Sequence, residues 1–227
     1  MRRIIVFDVN ETLLDVGALE PQFSQLFNDG RVLREWFSTI LLYSEVATLT
    51  GLYHDFPAIG GAALDMTAAS RGTSLTPEDR ARILKGMSAL PAHPDVRTGL
   101  QRLRDAGLRL VTLTNSSQTT AEAQLKHASL LEFFERVFSV DSVRRFKPAP
   151  EPYRFVAQEL GVETRDLRMV AAHAWDIVGA MQAGCAAAFV ARPGRALYPL
   201  APAPDIVGPD LRAVAEQIVA RETKPGD

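Results

Sequence analysis

Ile4-Ile5-Val6-Phe7-Asp8-Val9-Asn10-Glu11-Thr12 passes from an unbroken apolar run into polar side chains within a few residues. The run over 4–9 is rich in β-branched residues and bounded by charge, the pattern of a strand covered on both faces in a parallel sheet. Working outward, further short apolar runs predict strands over 108–114, 137–140, 169–172, 187–190 and, more weakly, 205–207. Helical spacing falls between them, over 96–106, 119–127, 151–160, 175–183 and 210–221. Strands alternating with helices predict βαβ crossovers and an α/β fold: a Rossmann-like open parallel sheet with helices on both faces.

Residues 16–89 break that alternation. They show helical periodicity and no convincing strand, with a broad apolar face over 32–49 that includes Trp36, Phe37, Ile40, Leu41 and Tyr43. Thr76-Pro77-Glu78 is a helix start, and Pro91-Ala92-His93-Pro94 is too stiff to continue a helix. The expected organisation is an α/β core over 1–14 and 95–222, a helical insert over 15–94, and a frayed tail over 223–227. An insert rooted just after the first strand sits over the carboxyl ends of the strands, where open parallel sheets bind ligands. It can then act as a cap that excludes water and shapes a pocket.

Composition narrows the partners. The chain has 227 residues, 47% hydrophobic and 23% charged, with a net charge of −2. There is no basic surplus to hold a phosphate backbone, so nucleic acid is not an expected partner. No apolar run predicts a membrane span, since the most apolar stretch, 169–191, contains His173, Asp176, Gln182 and two glycines. The single cysteine, Cys185, has no internal partner and suits a reducing, cytoplasmic setting.

Polar residues fall at the carboxyl ends of four predicted strands: Asp8 to Thr12, Thr114-Asn115, Lys147 in the following loop, and His173 to Asp176. The sheet brings these ends to one edge, so two acids, a lysine and several hydrogen-bonding groups converge. A carboxylate fixed there, Asp8, can attack an electrophilic carbon or phosphorus and form a covalent ester or anhydride. Lys147 would offset the negative charge of Asp8 and an anionic substrate.

Four motifs in order resemble the haloacid dehalogenase superfamily: Phe7-Asp8-Val9-Asn10-Glu11-Thr12-Leu13-Leu14-Asp15, Leu113-Thr114-Asn115-Ser116-Ser117, Phe146-Lys147-Pro148 and Ala174-Trp175-Asp176. Within it the chain is most similar to the type II (S)-2-haloacid dehalogenases, supported by Trp36 with Tyr43, Tyr53 with Phe56, and Lys147 with Tyr153. The resemblance implies a haloacid dehalogenase-like core, a cap, no cofactor and no metal, and a homodimer formed through the insert. It implies a small anionic substrate, a 2-haloalkanoate cleaved to a 2-hydroxy acid through an ester on Asp8. Catalytic roles fall to Asp8, Thr12, Thr114, Asn115, Lys147, His173 and Asp176. Substrate contacts fall to Asn10, Phe37, Leu41, Phe56, Tyr153 and Trp175.

Several positions depart from that pattern. The tyrosine two residues after the nucleophile is Asn10, and the insert-helix arginine that receives halide and substrate is Phe37, with Arg34 one turn earlier. The serine and asparagine of the fourth motif are Ala171 and His173. Imidazole is a competent base near neutral pH, so His173 is the expected activator of the water that opens the ester. Asn10 bears on the reaction type. Phosphatases of the superfamily carry an aspartate there as general acid, and an amide cannot supply a proton. An alkoxide leaving group needs that proton and a halide does not. Two alternatives stay open: a magnesium-dependent phosphatase, whose phosphate release would stop on chelation, and a catalytically weak small-anion binding protein, which would be stabilised by ligand without turnover.

Overall fold

Six parallel strands in the order β3-β2-β1-β4-β5-β6 form the centre of the computed structural model, which describes residues 3–223. The strands are β1 (Ile4–Phe7), β2 (Leu110–Thr114), β3 (Arg136–Ser139), β4 (Leu167–Ala171), β5 (Ala186–Val190) and β6 (Ile206–Gly208). Every residue of β1, β2 and β4 is buried, which is why their sequences lack the alternation of a half-exposed strand. β1 pairs with β2 through Phe7↔Thr112 and with β4 through Phe7↔Val170, so three strands end level with Asp8.

Strands β2 and β3 are added on one side of β1 and β4 to β6 on the other, and that switch in strand order opens a crevice at the carboxyl ends of β1 and β4. Helices α5 (Val96–Asp105), α6 (Gln118–His127), α7 (Pro150–Leu160) and α8 (Ala174–Gln182) lie in the crossovers, α9 (Leu211–Glu222) follows β6, and all five flank the sheet. The predicted strands at 108–114 and 169–172 are displaced by up to two residues. β4 begins at Leu167 because Arg168 is buried in the strand, where Asp205 and Glu222 neutralise it at 2.6 and 2.8 Å. The Thr223 N–H and hydroxyl both bond to the Val219 carbonyl at the end of α9, while 224–227 of the expected tail lie outside the described residues.

Between β1 and α5 lie α1 (Glu20–Phe27), α2 (Val32–Thr50), α3 (Phe56–Ser70) and α4 (Pro77–Gly86). The Thr76 hydroxyl accepts the Asp79 N–H and caps α4, with Pro77 at its first position. Trp36 is fully buried and its indole N–H donates to the Gly60 carbonyl at 2.9 Å, fastening α2 to α3. The two chain crossings into this helical unit run side by side. Leu14 bridges Ala92, Asp15 N–H donates to the Pro91 carbonyl at 2.8 Å, and His93 N–H donates to the Leu13 carbonyl at 3.0 Å.

Candidate active site

Asp8 is the first residue past β1, and its own N–H bonds back to the Val170 carbonyl at 3.1 Å. One carboxylate oxygen, Oδ1, accepts Lys147 Nζ at 2.9 Å, and the other, Oδ2, accepts the Thr12 hydroxyl at 2.6 Å. Thr12 Oγ1 in turn accepts the Ala172 N–H at 2.9 Å, so its proton has one direction left to point. Burial opposes ionisation of Asp8, but Lys147, His173 and Thr12 outweigh it and hold the carboxyl well below the usual carboxylate range. The Asp8 carboxylate is therefore anionic, with one donor fixed on each oxygen.

Lys147 is fully buried with all three ammonium protons committed, to Asp8, to Asp176 Oδ2 at 2.6 Å and to the Leu113 carbonyl at 2.9 Å. Burial alone would lower its pKa, yet the flanking carboxylates raise it, so it stays charged. Asp176 enters at the first turn of α8, and its second oxygen accepts the Tyr153 hydroxyl at 2.7 Å. Its burial, with Asp8 nearby, holds the Asp176 carboxyl above the ordinary range although Lys147 works against this. Asn115 Oδ1 accepts the Lys147 backbone N–H at 3.0 Å, and Thr114 Oγ1 accepts the Ser116 N–H at 3.1 Å. Both therefore shape the loops around the lysine.

His173 sits just before α8 with 4% of its surface exposed. Its Nδ1 lies 3.4 Å from Asp8 Oδ2, and its Nε2 lies 2.7 Å from Glu11 Oε2. Burial disfavours the imidazolium, but the hydrogen bonds and charges of Asp8 and Glu11 prevail and push its pKa up to about 9. A ring protonated on both nitrogens has no lone pair to offer water near neutral pH. That charge state favours a cationic donor at His173 over the expected base. Glu11 also pairs with Arg195, from the segment after β5. Three carboxylates, Asp8, Glu11 and Asp176, thus face three cations, Lys147, His173 and Arg195.

The helical unit supplies the opposite wall. A cavity of about 630 Å³ is lined by Glu11, Arg34, Phe37, Leu41, Arg192 and Arg195. A second, of about 450 Å³, is lined by Leu41, Glu45, His173, Trp175 and Arg195. The His173 ring stacks on Trp175 at 5.0 Å and on Phe37 at 6.4 Å. Phe37 and Leu41 line the first cavity, and Leu41 and Trp175 the second. Three other expected substrate contacts do not reach either cavity. Asn10 is turned into a buried network, donating to Ser116 Oγ and accepting from Gln124 Nε2, both at 3.1 Å. Tyr153 lies behind Asp176 and orients it. Phe56 packs on Phe146, the residue before the lysine.

Sequence reasoning missed Glu11, Arg195, Gln124 and the Arg192–Asp95 pair. Arg192 donates to the Thr12 carbonyl at 2.8 Å and to Asp95 at 2.7 Å, which ties the turn after the nucleophile to the core. Glu11 takes a backbone φ of 63°, a conformation that costs a non-glycine residue energy and that the sequence does not show. The others are contacts made across long sequence separations and leave no local trace.

The chain belongs to the haloacid dehalogenase-like hydrolases, whose family model matches residues 2–184. Among curated proteins it is similar to haloacetate dehalogenase H-2 of Moraxella sp. (strain B), 30% identical, with 94% of this chain and 96% of that one covered. It is 31% identical to an (S)-2-haloacid dehalogenase of Xanthobacter autotrophicus, over 85% of this chain and 76% of that one. Among solved structures, L-2-haloacid dehalogenase from Xanthobacter autotrophicus with chloropropionic acid covalently bound superposes with a TM-score of 0.90 at 27% identity, covering 97% of this chain and all of that one.

Proposed function

We propose that this chain hydrolyses the carbon–halogen bond of small 2-haloalkanoic acids through a covalent ester on Asp8. The carrying observation is the ionised Asp8 carboxylate, braced by Lys147 and Thr12, with an amide instead of an acid at Asn10. The covalent chloropropionic acid adduct of the Xanthobacter enzyme supports the same chemistry. An Asp8 oxygen attacks C2 from the face opposite the halogen. The new C–O bond forms as the carbon–halogen bond breaks, halide leaves with the electron pair, and C2 inverts. Water then attacks the Asp8 carbonyl carbon, and the bond from that carbon to the substrate oxygen breaks. The 2-hydroxy acid departs, Asp8 returns as carboxylate, and one proton passes to solvent by way of Asp176, the buried carboxylate with the raised pKa.

Thr12, Lys147 and Asp176 hold and balance the nucleophile, Thr114 and Asn115 set the loop around Lys147, and Phe37, Leu41 and Trp175 form the apolar wall. No metal or cofactor enters these steps. A phosphatase reading lacks its proton donor, because the Asn10 amide is tied to Ser116 and Gln124. The exposed Leu42, Tyr43, Val46 and Leu49 on α2, with Leu52 and Met66 nearby, fit a homodimer formed through the helical unit. The buried, unpaired Cys185 fits a cytoplasmic setting.

The test is halide release from a panel of 2-haloacids, with single turnover in heavy-oxygen water. Label appearing in the Asp8 carboxylate, and no halide from Asp8→Asn, is the expected result. Halide release that leaves Asp8 unlabelled rejects the ester, while ligand-induced stabilisation with no halide release leaves a binding protein.

A further inference from the structure

The two donors that hold Asp8 within 3 Å have no proton to spare. Lys147 has no free proton, and the Thr12 hydroxyl is given to Asp8. Among the described residues, Trp175 Nε1 beside this cluster is buried without a hydrogen-bond partner, and His173 Nδ1 is buried with only the long contact to Asp8. His173 Nδ1 touches the nucleophile at 3.4 Å, beyond a well-formed hydrogen bond, and the ring lines the second cavity. Its far nitrogen is anchored on Glu11, which Arg195 holds from the other side. Phe37 and Trp175, stacked on the ring, carry no charge that could replace it.

We propose that His173 Nδ1–H receives the carboxylate of the substrate, and that Glu11 is the positioning residue that keeps the ring oriented and cationic for this purpose. Geometry separates the carboxylate from the halide. In-line displacement puts the leaving halide opposite the attacking oxygen, away from any donor in contact with that oxygen. The carboxylate is bonded to the reacting carbon and lies to one side of the attack line, within reach of such a donor. Charge agrees, because the three carboxylates and three cations balance and a cation paired to Asp8 only at 3.4 Å is the one most easily shared with an incoming anion.

The groups facing the ring are Asp8 and Glu11 from the turn after β1, Lys147 next to Asp8, Asp176 beyond Lys147, Arg195 behind Glu11, and Glu45 of α2 across the second cavity. With Glu11 neutralised, the imidazole loses the nearer of its anchors and titrates lower.

The proposal rests on the dehalogenase reading, and its test does not require turnover. Propionate, the halogen-free analogue, is titrated into the intact protein by calorimetry, with the His173 ring followed by nitrogen NMR. Glu11→Gln is expected to lower the His173 pKa by about one unit or more. It then binds propionate no more weakly than wild type at pH 6 and about threefold or more weakly at pH 8.5. His173→Asn is expected to lose about tenfold in affinity at pH 6, and the KM for 2-chloropropionate to follow while kcat moves less. Propionate affinity unchanged in His173→Asn, or the same pH dependence in Glu11→Gln as in wild type, overturns the proposal. Weakened bromide binding with intact propionate binding also overturns it, in favour of a halide receptor. If Glu11→Gln fails to fold, His173→Asn and the wild-type ring titration still decide. Wild type binding propionate through His173 yet releasing no halide would sink the dehalogenase reading and leave the receptor standing.

Discussion

Lys147 Nζ lies 2.6 Å from Asp176 Oδ2 and 2.9 Å from Asp8 Oδ1, so one buried ammonium holds together carboxylates that enter the site from different strands. Each acid would repel the other without it. The same contact that readies Asp8 for attack therefore also keeps the carboxyl edge of the sheet folded.

Lys147→Met tests both consequences. It leaves Asp176 without a counter-charge and Asp8 with only His173 at 3.4 Å, and breaking such a buried pair costs about 3–5 kcal/mol. Urea denaturation at pH 7 is expected to show a loss of that size, with halide release from 2-haloacids falling by about a hundredfold or more. Destabilisation should ease as the pH is lowered and a carboxyl takes up a proton.

Stability should also depend on pH through His173. Its pKa rises from 6.5 to about 9 on folding, so the folded state binds the proton more tightly. That contribution is complete below about pH 6.5, declines above it, and is gone once the pH passes about 9, amounting to something on the order of 3 kcal/mol. Thermal melts of wild type should fall across this window, and melts of His173→Asn should be flatter. Parallel curves for the two proteins would contradict the assignment.

Gly179 and Gly60 make a matched pair. A Cβ on Gly179 of α8 would stand 2.6 Å from Pro148 Cβ, 2.7 Å from the Pro148 carbonyl and 2.7 Å from the Tyr153 hydroxyl. Gly179→Ala must push against the loop of Lys147 and the tyrosine that orients Asp176, so a loss of about 1–3 kcal/mol with reduced kcat is expected. On Gly60 of α3 the nearest atom is Ile40 Cδ1 at an ordinary 3.6 Å. Gly60→Ala should leave kcat unchanged and stabilise by up to about 1 kcal/mol through helix propensity.

Arg168 isolates stability from chemistry. It is fully buried near the start of β4, at the end of the sheet away from Asp8, with Asp205 and Glu222 as partners. Arg168→Ala should cost about 3–5 kcal/mol in urea denaturation, while kcat per folded molecule stays within about twofold of wild type.

Arg168 also shows why the sequence is only partly readable. The apolar runs at Ile4–Phe7 and Leu110–Thr114 announce buried strands because every one of their residues faces packed atoms. A charge inside β4 reads as a boundary until its two acids, far along the chain, are placed beside it. The site divides the same way. Asp8, Lys147 and Asp176 are legible as polar residues closing apolar strands, since the parallel sheet alone brings such ends together. The charge state of His173 is not legible, because it is set by Glu11 and Asp8 from the opposite end of the sequence. Nor is the turning of Asn10 away from the cavities, which Gln124 and Ser116 impose.

The helical unit leaves and re-enters the sheet through one doorway, where Leu14 and Ala92 lie bridged. Its length is thus free of the sheet's geometry: turns can be added to or pared from the far end without moving the strand that carries the nucleophile. A chain wired this way can exchange its pocket roof as a cassette and keep its chemistry, so substrate range and reaction type are free to evolve on separate schedules.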